Sequence, residues 1–224
     1  MKTAALAVLS TALFISACAD PAANKPKAMT TGSNTTTAAN TATGEPAKAD
    51  VLAGFKASGT ELAITPETSK VEFTGSKVTG KHDGGFKKFS GVIDLVGDKA
   101  ETSKVLFEIE MNSIFTDTDG VTKHLQTPDF FDVEKFPKGS FASTTIVAGS
   151  GAGNYTVTGD MVIHGVKKSI TFPATITITP ADVAVKAEFS INRKDFGVLY
   201  AGKADDLIRD DVVLRLDLKA AKKK

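Results

Sequence analysis

Eight stretches of this chain alternate between apolar and polar residues with a period of two, which is typical of β-strands with one buried face. In one of them, Phe107 and Ile109 fall on one face and Glu108 falls on the other. Most connections are short, and short connections join antiparallel neighbours. The sequence therefore predicts an all-β fold, an eight-stranded antiparallel barrel, which we favour over a sandwich because closure removes exposed strand edges. The predicted strands are Val71–Val78, Phe86–Val96 (joined to the first by a turn at Gly80–Gly85), Lys104–Asn112, Ser140–Val147, Asn154–Ile163, Ser169–Thr179, Asp182–Asn192 and Val212–Lys219.

The stretch His124–Phe141 interrupts this pattern, although it carries four of the fourteen phenylalanines. A Phe side chain left in water forfeits roughly 1.5 to 3 kcal/mol of burial, so a plain surface loop is a poor interpretation. Thr127 and Pro128 fit the N-cap and the first position of a helix. We expect short helical segments near residues 122–136 that cover the opening of the barrel, and a second short helical segment near residues 203–209.

The first 17 residues have the features of an export signal: a basic start, an apolar run and small residues before Cys18. The run is shorter than the roughly 20 apolar residues that span a bilayer. Ile15-Ser16-Ala17-Cys18 resembles a bacterial lipobox, in which the cysteine is lipidated and becomes the new N-terminus. The alternative is an ordinary signal peptide with a chance cysteine. The lipobox predicts a lipoprotein on the periplasmic face of the bacterial envelope, anchored in a membrane through Cys18, and Ala19 favours the outer membrane over the inner one.

The next segment, residues 18–50, is predicted to be a disordered tether. Residues 19–50 contain no Val, Ile, Leu, Phe, Tyr or Trp. Such a segment buries too little to offset its ordering entropy. As a flexible coil it would span on the order of 30 Å. We therefore expect the folded domain, residues 51–224, to stand clear of the membrane.

Charge and motifs exclude several classes of function. The formal net charge is +1, and removal of the signal with Lys2 leaves equal numbers of acidic and basic side chains, so nucleic-acid binding is not expected. His82, His124 and His164 lie far apart in sequence and lack the spacing of metal ligands. The chain has no nucleophile elbow, phosphate loop or cysteine nucleophile. The prediction is a protein that is not an enzyme and holds no metal or cofactor.

Three small residues suggest a cavity. If a turn at His164–Lys168 pairs Ile163 with Ile170, and the next turn pairs Ile178 with Val183, small residues fall side by side across three strands: Gly159, Ala174 and Ala187. An empty row in mid-barrel predicts room for one small ligand. The alternative is that the row faces bulky side chains such as Phe107 or Phe189. Pro173 also predicts a bulge or break in the ladder.

Three separated motifs resemble the YceI-like family of exported lipid-binding proteins. They are HLxxPDFFDVxxFPxxxF from His124, GDMxIxGVKK from Gly159 and FSINRxxFG from Phe189. The resemblance implies a lipocalin-like eight-stranded barrel over about residues 60–219. It also implies binding of a long apolar chain, which is a polyisoprenoid such as a quinone tail or polyprenyl phosphate, or a fatty-acid derivative. The glycine-rich segment at His82–Gly85 and the lipobox with its tether depart from the simplest members.

The candidate ligand-binding residues lie on the predicted inner faces, in the aromatic stretch and at one strand end. Arg193 beside Asn192 is placed to hold a head-group oxygen, or instead to tie the carbonyls of the following loop. His124 is placed at the cavity mouth. The full set is Phe107, Ile109, Met111, His124, Phe130, Phe131, Tyr155, Val157, Gly159, Met161, Phe172, Ala174, Ile176, Ala187, Phe189, Asn192, Arg193 and Phe196.

Two functions remain open from the sequence. One is an envelope lipoprotein that carries or stores an apolar lipid inside its barrel. The other is a ligand-free envelope adaptor with a packed barrel and an unknown protein partner. The lipid's identity and the oligomeric state stay open, with a homodimer as one option.

Overall fold

The computed structural model describes residues 19–31, 51–52 and 55–222. The predicted signal peptide, Cys18 and residues 32–50 of the predicted tether lie outside the described residues. The elements are β1 (Met29–Thr31), β2 (Thr60–Ile64), β3 (Lys70–Lys77), β4 (Gly80–Phe86), β5 (Phe89–Val96), β6 (Lys99–Glu110), β7 (Ile114–Thr116), α1 (Asp119–Leu125), β8 (Lys138–Ala148), β9 (Asn154–Ile163), β10 (Val166–Ile178), β11 (Asp182–Asn192), β12 (Gly202–Lys203), β13 (Asp206–Leu207) and β14 (Asp211–Ala221), with 3₁₀ turns at Met111–Ser113 and Arg193–Phe196.

One antiparallel sheet of twelve strands forms the body of the molecule. Its order is β2-β5-β6-β8-β9-β10-β11-β14-β3-β4-β7, with β1 beside β10, while β12 and β13 form a separate hairpin. The sheet curls into a half-barrel in which β2 lies against β14. The predicted all-β antiparallel fold is confirmed, with twelve strands in the sheet instead of eight.

The glycine-rich segment predicted as a turn is strand β4. It pairs with β3 on one side and β7 on the other, so the first two predicted strands are not neighbours in a hairpin. Glycine is needed there because a Cβ on Gly84 would lie 2.3 Å from the Phe115 carbonyl oxygen and 2.7 Å from the Phe73 ring. The glycines therefore allow two strands to approach closely, whereas the sequence analysis had interpreted them as turn residues.

Both predicted helical segments differ from the structure. The helix α1 ends at Leu125, before Thr127, and the Thr127 hydroxyl donates a hydrogen bond back to the His124 carbonyl at 2.8 Å. Thr127 and Pro128 therefore mark the end of a helix rather than its start. Residues 203–209 form no helix, because Gly202 has φ +86° and starts the β12–β13 hairpin.

The N-terminal segment, residues 19–31, is packed against the sheet, in contrast to the predicted disorder. The ladder between β10 and β11 stops at Thr175–Lys186, two residues after Pro173, which has no N–H to donate. Residues 26–31 fill the gap that follows. Ala28 donates to the Ser190 carbonyl at 2.8 Å, Ser190 donates to the Pro26 carbonyl at 2.8 Å, and β1 pairs with β10.

The physical reason is that backbone pairing, and not apolar bulk, holds this segment. The separated edges of β10 and β11 each present N–H and C=O groups that need partners, and an extended chain of any composition supplies them. Small side chains even help, since Ala22 and Ala28 are buried. Over the part of the chain that the structure describes, no helix is long and apolar enough to cross a bilayer.

Candidate functional site

A cavity of about 300 Å³ lies between one half of the curled sheet and two segments that cover it. We call these two segments the cover: residues 119–131, which include α1, and residues 193–208. The walls are almost entirely apolar. The strand side chains that form them come mainly from β3, β6, β11 and β14, and include Val71, Phe73, Phe107, Ile109, Phe189, Ile191, Val212, Leu214 and Leu216.

Strand alternation explains one wall. On β3, Val71, Phe73 and Gly75 point to the same face because side chains alternate across a strand. A Cβ built on Gly75 meets nothing within 4 Å, and this glycine does not have a positive φ. Gly75 therefore leaves open space in the cavity that a larger residue would fill without backbone strain.

A row of four phenylalanine rings, two of which line the cavity, forms its floor. The ring centroids of Phe107 and Phe141 are 5.7 Å apart, those of Phe141 and Phe172 are 5.6 Å apart, and those of Phe172 and Phe189 are 4.1 Å apart with nearly parallel planes. Phe107 and Phe189 also line the cavity. The row divides the interior into a cavity half and a packed half.

The packed half is filled by its own side chains. Its inward side chains are buried against one another, as expected of a protein interior at crystal-like density. The largest contributions come from Leu62, Ile64, Ile93, Leu95, Val105, Ile146, Val157, Ile176, Val183, Val185 and Leu218.

Many of the residues proposed from the sequence lie around the cavity. They come from β6 and the 3₁₀ turn after it, from the cover, and from β9 and β11. They are Phe107, Ile109, Met111, His124, Phe130, Phe131, Met161, Phe189, Arg193 and Phe196.

The predicted row of small residues is not part of the cavity. A Cβ on Gly159 would lie 2.5 Å from both the Ala142 carbonyl oxygen and the Phe141 ring, so this glycine makes room for the floor. Gly159 thus faces a bulky ring, in line with the alternative interpretation, although that ring is Phe141 and not Phe107 or Phe189. Asn192 does not line the cavity either, because its side chain caps the 3₁₀ turn that follows it. The other proposed residues outside the cavity lie in the packed half or at its edge: Tyr155, Val157, Phe172, Ala174, Ile176 and Ala187.

That prediction used two strand pairings, of which the one between β9 and β10 was wrong and the one between β10 and β11 was right. Ile163 pairs with Val166, not Ile170, because His164 and Gly165 form a two-residue turn in which both have positive φ. Gly159 therefore lies opposite Ile170. The second turn does pair Ile178 with Val183, as predicted.

Three aromatic rings join the two segments of the cover. The His124 ring lies 5.0 Å from Phe130 and 5.1 Å from Tyr200, and Phe130 lies 5.2 Å from Tyr200, measured between ring centroids. His124 and Phe130 line the cavity, whereas Tyr200 packs on them from the other segment. The cluster holds the cover closed without a covalent or metal link.

Polar contacts pin the first segment of the cover to the sheet. His82 Nδ1 lies 2.8 Å from a carboxylate oxygen of Asp117, and the Thr116 N–H donates to the Thr122 hydroxyl in α1 at 2.8 Å. The hydrogen bond from His82 holds the pKa of the Asp117 carboxyl below its ordinary value. His82 and Thr116 line the cavity, whereas their partners Asp117 and Thr122 do not.

Arg193 holds the second segment of the cover. It is buried, and its guanidinium donates to the carbonyls of Arg209 at 3.1 Å, Val198 at 2.7 Å and Ile208 at 3.4 Å, and to the Asp210 carboxylate at 3.1 Å. Burial lowers the pKa of Arg193, and the Asp210 charge opposes that shift. Of the two roles proposed for Arg193, its contacts are those of the structural one.

The titratable side chains of the cavity wall are already compensated. Lys77 is paired with Asp206, His82 with Asp117, His124 with Asp129, and Arg193 with Asp210. All four partners lie outside the wall. The wall therefore offers apolar contact more than it offers an uncompensated charge.

Several wall residues were missed by sequence reasoning. Alternation alone places Val71, Phe73, Val212, Leu214 and Leu216 on inner faces, and this signal was available. It does not show which inner face borders a void. The others sit in β4, the cover or strand ends, where the pattern was misread or absent: Gly75, Ser76, Lys77, His82, Phe86, Thr116, Val121, Leu125, Gly139, Ser140, Val162, Ile163, Ile191, Val198 and Ile208.

Comparison with known proteins supports the geometry. A family model described as the YceI-like domain matches residues 62–220. A UPF0312 protein of Pseudomonas fluorescens is 32% identical over 137 residues, which cover 58% of this chain and 71% of that one. A UPF0312 protein of Pseudomonas syringae pv. tomato is 33% identical over 135 residues, which cover 58% and 70%.

Solved structures share the fold. The crystal structure of Burkholderia cenocepacia BcnA is 25% identical with a TM-score of 0.63, covering 70% of this chain and 99% of that one. A Campylobacter jejuni YCEI protein is 27% identical with a TM-score of 0.56, covering 63% and 85%. A polyisoprenoid binding domain from Saccharophagus degradans is 18% identical with a TM-score of 0.58, covering 73% and 98%.

Proposed function

Because this chain belongs to the YceI-like family, we propose that it is an envelope lipoprotein that binds a long apolar lipid in its cavity, for carriage or storage. The single observation that carries the proposal is the apolar cavity of about 300 Å³ above the phenylalanine floor. A packed adaptor barrel would have no reason to leave this volume empty, since each methyl-sized gap costs about 1 kcal/mol.

The chemistry of binding is burial of hydrocarbon. Each Å² of apolar surface removed from water contributes about 25 cal/mol, and a long chain offers far more area than one side chain. The volume lies at the lower end of small-molecule pockets, which suits one chain per protein. A longer tail would continue past the cover. No chemical step is needed, so the protein acts as a binder and not as an enzyme.

The proposed ligand class is a polyisoprenoid, a quinone tail or a fatty-acid derivative. The name of the Saccharophagus degradans domain supports the first of these. The compensated charges of the wall favour recognition through the chain over recognition through an anionic head group. The membrane anchor of the proposal is the lipidated Cys18, supported by the lipobox-like sequence before it.

The test is native mass spectrometry of the full-length protein purified from its membrane in mild detergent, followed by organic extraction. We expect one long-chain lipid per protein. Gly75→Phe places a ring in the cavity without backbone strain and should abolish the bound mass while the protein stays folded. Gly120→Phe is the matched control, because Gly120 is exposed on α1 and also has nothing within 4 Å of its Cβ position.

Two results would contradict the proposal. One is the repeated absence of any apolar ligand from wild-type protein. The other is an equal amount of lipid on the wild-type and Gly75→Phe proteins, which would place the lipid outside the cavity.

A further inference from the structure

Three exposed apolar side chains border the cavity on the side of the cover. We call them the rim surface: Val78 is 49% exposed, Leu199 is 64% exposed and Leu207 is 49% exposed. Each is the chain neighbour of a cavity-lining residue, respectively Lys77, Val198 and Ile208. Single exposed apolar residues are ordinary, but a group at the mouth of an apolar cavity marks an interaction surface.

The backbone of the rim surface is held in place by hydrogen bonds, one of which is buried. Arg193 donates to the carbonyls of Val198 and Ile208, the residues next to Leu199 and Leu207. The Val78 N–H donates to the Leu207 carbonyl at 3.1 Å. The exposure of these side chains therefore follows from a fixed backbone and is not the result of a loose loop.

The N-terminal segment begins at this same place. A carboxylate oxygen of Asp20 lies 3.4 Å from Arg209 Nη1, and Arg209 follows Ile208 directly. Successive Cα atoms are about 3.8 Å apart, so residue 18 is attached within about 8 Å of the Asp20 Cα. Only two residues of chain therefore separate the proposed anchor from the Asp20–Arg209 contact.

Further contacts fix the segment along the sheet. Lys25 pairs with Glu188 at 2.7 Å and Lys27 pairs with Asp211 at 2.7 Å, in addition to the backbone bonds that fill the gap between β10 and β11. Residues 32–50, the longer part of the predicted tether, come after the docked segment in the chain. They do not separate the anchor from the domain.

We propose that the rim surface docks on the phospholipid bilayer that carries the Cys18 anchor, so that the cavity opens directly onto the membrane. The inference rests on the proposed function, because it needs the lipidated cysteine. The partner is the bilayer itself, since a lipidated Cys18 would be two residues from Asp20, and Asp20 contacts Arg209 two residues from Leu207. A lipid would then pass between membrane and cavity past Leu199 and Leu207 without crossing water.

The experiment uses full-length lipidated protein in vesicles of phosphatidylethanolamine and phosphatidylglycerol. Lipidation blocks the thiol of Cys18, so a cysteine introduced by Val78→Cys or Leu207→Cys takes a single nitrobenzoxadiazole label. Val147→Cys is the matched control. Val147 is also apolar and 54% exposed, but it lies eight residues along β8 from the cavity-lining Gly139, or about 26 Å away.

We expect brominated lipids to quench the labels at residues 78 and 207 several-fold more than the label at residue 147. A protein that carries Leu199→Asp together with Leu207→Asp should lose most of the quenching at residue 78 while it stays anchored. Equal quenching at all three sites on anchored protein would overturn the docking surface alone. Protein that washes off the vesicles because Cys18 carries no lipid would overturn the anchor, and both proposals would then have to be given up in their present form. Bound lipid is measured separately by extraction.

Discussion

The two halves of the interior share strands β6, β11 and β14 but differ in what fills them. In the packed half, the inward side chains are buried against one another, and Gly159 leaves the space that the Phe141 ring occupies. In the cavity half, Gly75 faces empty space and the roof comes from the cover. A glycine in a strand therefore has no fixed meaning. It marks tight packing in one half and a void in the other, and only the facing surface distinguishes them.

The largest expected effect separates two phenylalanines. Phe172→Ala removes a ring between Phe141 and Phe189 in the floor and should reduce the free energy of unfolding by about 3–5 kcal/mol. Phe73→Ala removes a ring that borders the cavity and should cost about 2 kcal/mol, close to the transfer contribution alone. Urea denaturation of both variants measures the difference. Equal losses would mean that the cavity half is as tightly packed as the other.

Two alanine substitutions sharpen the same contrast. Gly159→Ala puts a Cβ 2.5 Å from a backbone oxygen and should destabilise the protein by about 1–3 kcal/mol. The Cβ added by Gly75→Ala has no atom within 4 Å, and alanine lowers the conformational entropy of the unfolded chain. This substitution should therefore be neutral or stabilise the protein by about 0.4–1 kcal/mol. The melting temperatures of the two variants measure the difference. If both substitutions lowered the melting temperature, Gly75 would not face open space.

The cover provides a smaller test with two tyrosines. Tyr200→Ala removes the ring that joins both cover segments and should cost about 1 kcal/mol of stability while it speeds exchange of bound lipid with vesicles. Tyr155→Ala is the control, because Tyr155 packs on the core away from the cavity. Lipid exchange that responds equally to both changes would show that the cover does not retain the ligand.

The smallest expected effect is a loss of stability at acid pH. The hydrogen bond from His82 holds the pKa of Asp117 below its unfolded value, so its contribution is present above about pH 4 and is lost as pH falls through the folded pKa. Both side chains are partly exposed, which keeps the contribution small. We expect wild-type protein to melt slightly above Asp117→Asn at pH 6 and the gap to close as the pH falls below the folded pKa of Asp117. A gap that persists in acid would exclude this contact as its cause.

Sequence reasoning found the strands because alternation is a local property. All eight predicted strands exist, and the boundaries of β9 and β11 agree to the residue. It found the first segment of the cover from the cost of leaving phenylalanines in water, although Phe141 of that stretch lies in β8. It also found the break at Pro173, because a residue without an N–H cannot continue a ladder on both sides.

What fills that break was decided only in three dimensions. Composition predicted disorder for residues 19–31, whereas two separated strand edges offer backbone partners that no composition reveals. Likewise, alternation gave the inward faces but not the cavity, because the space in front of Gly75 depends on strands and cover segments far away in the chain. Local alternation was enough to assign which side chains point inward. The tertiary structure decided which of them meet, since a void is a property of opposing surfaces and not of any one strand.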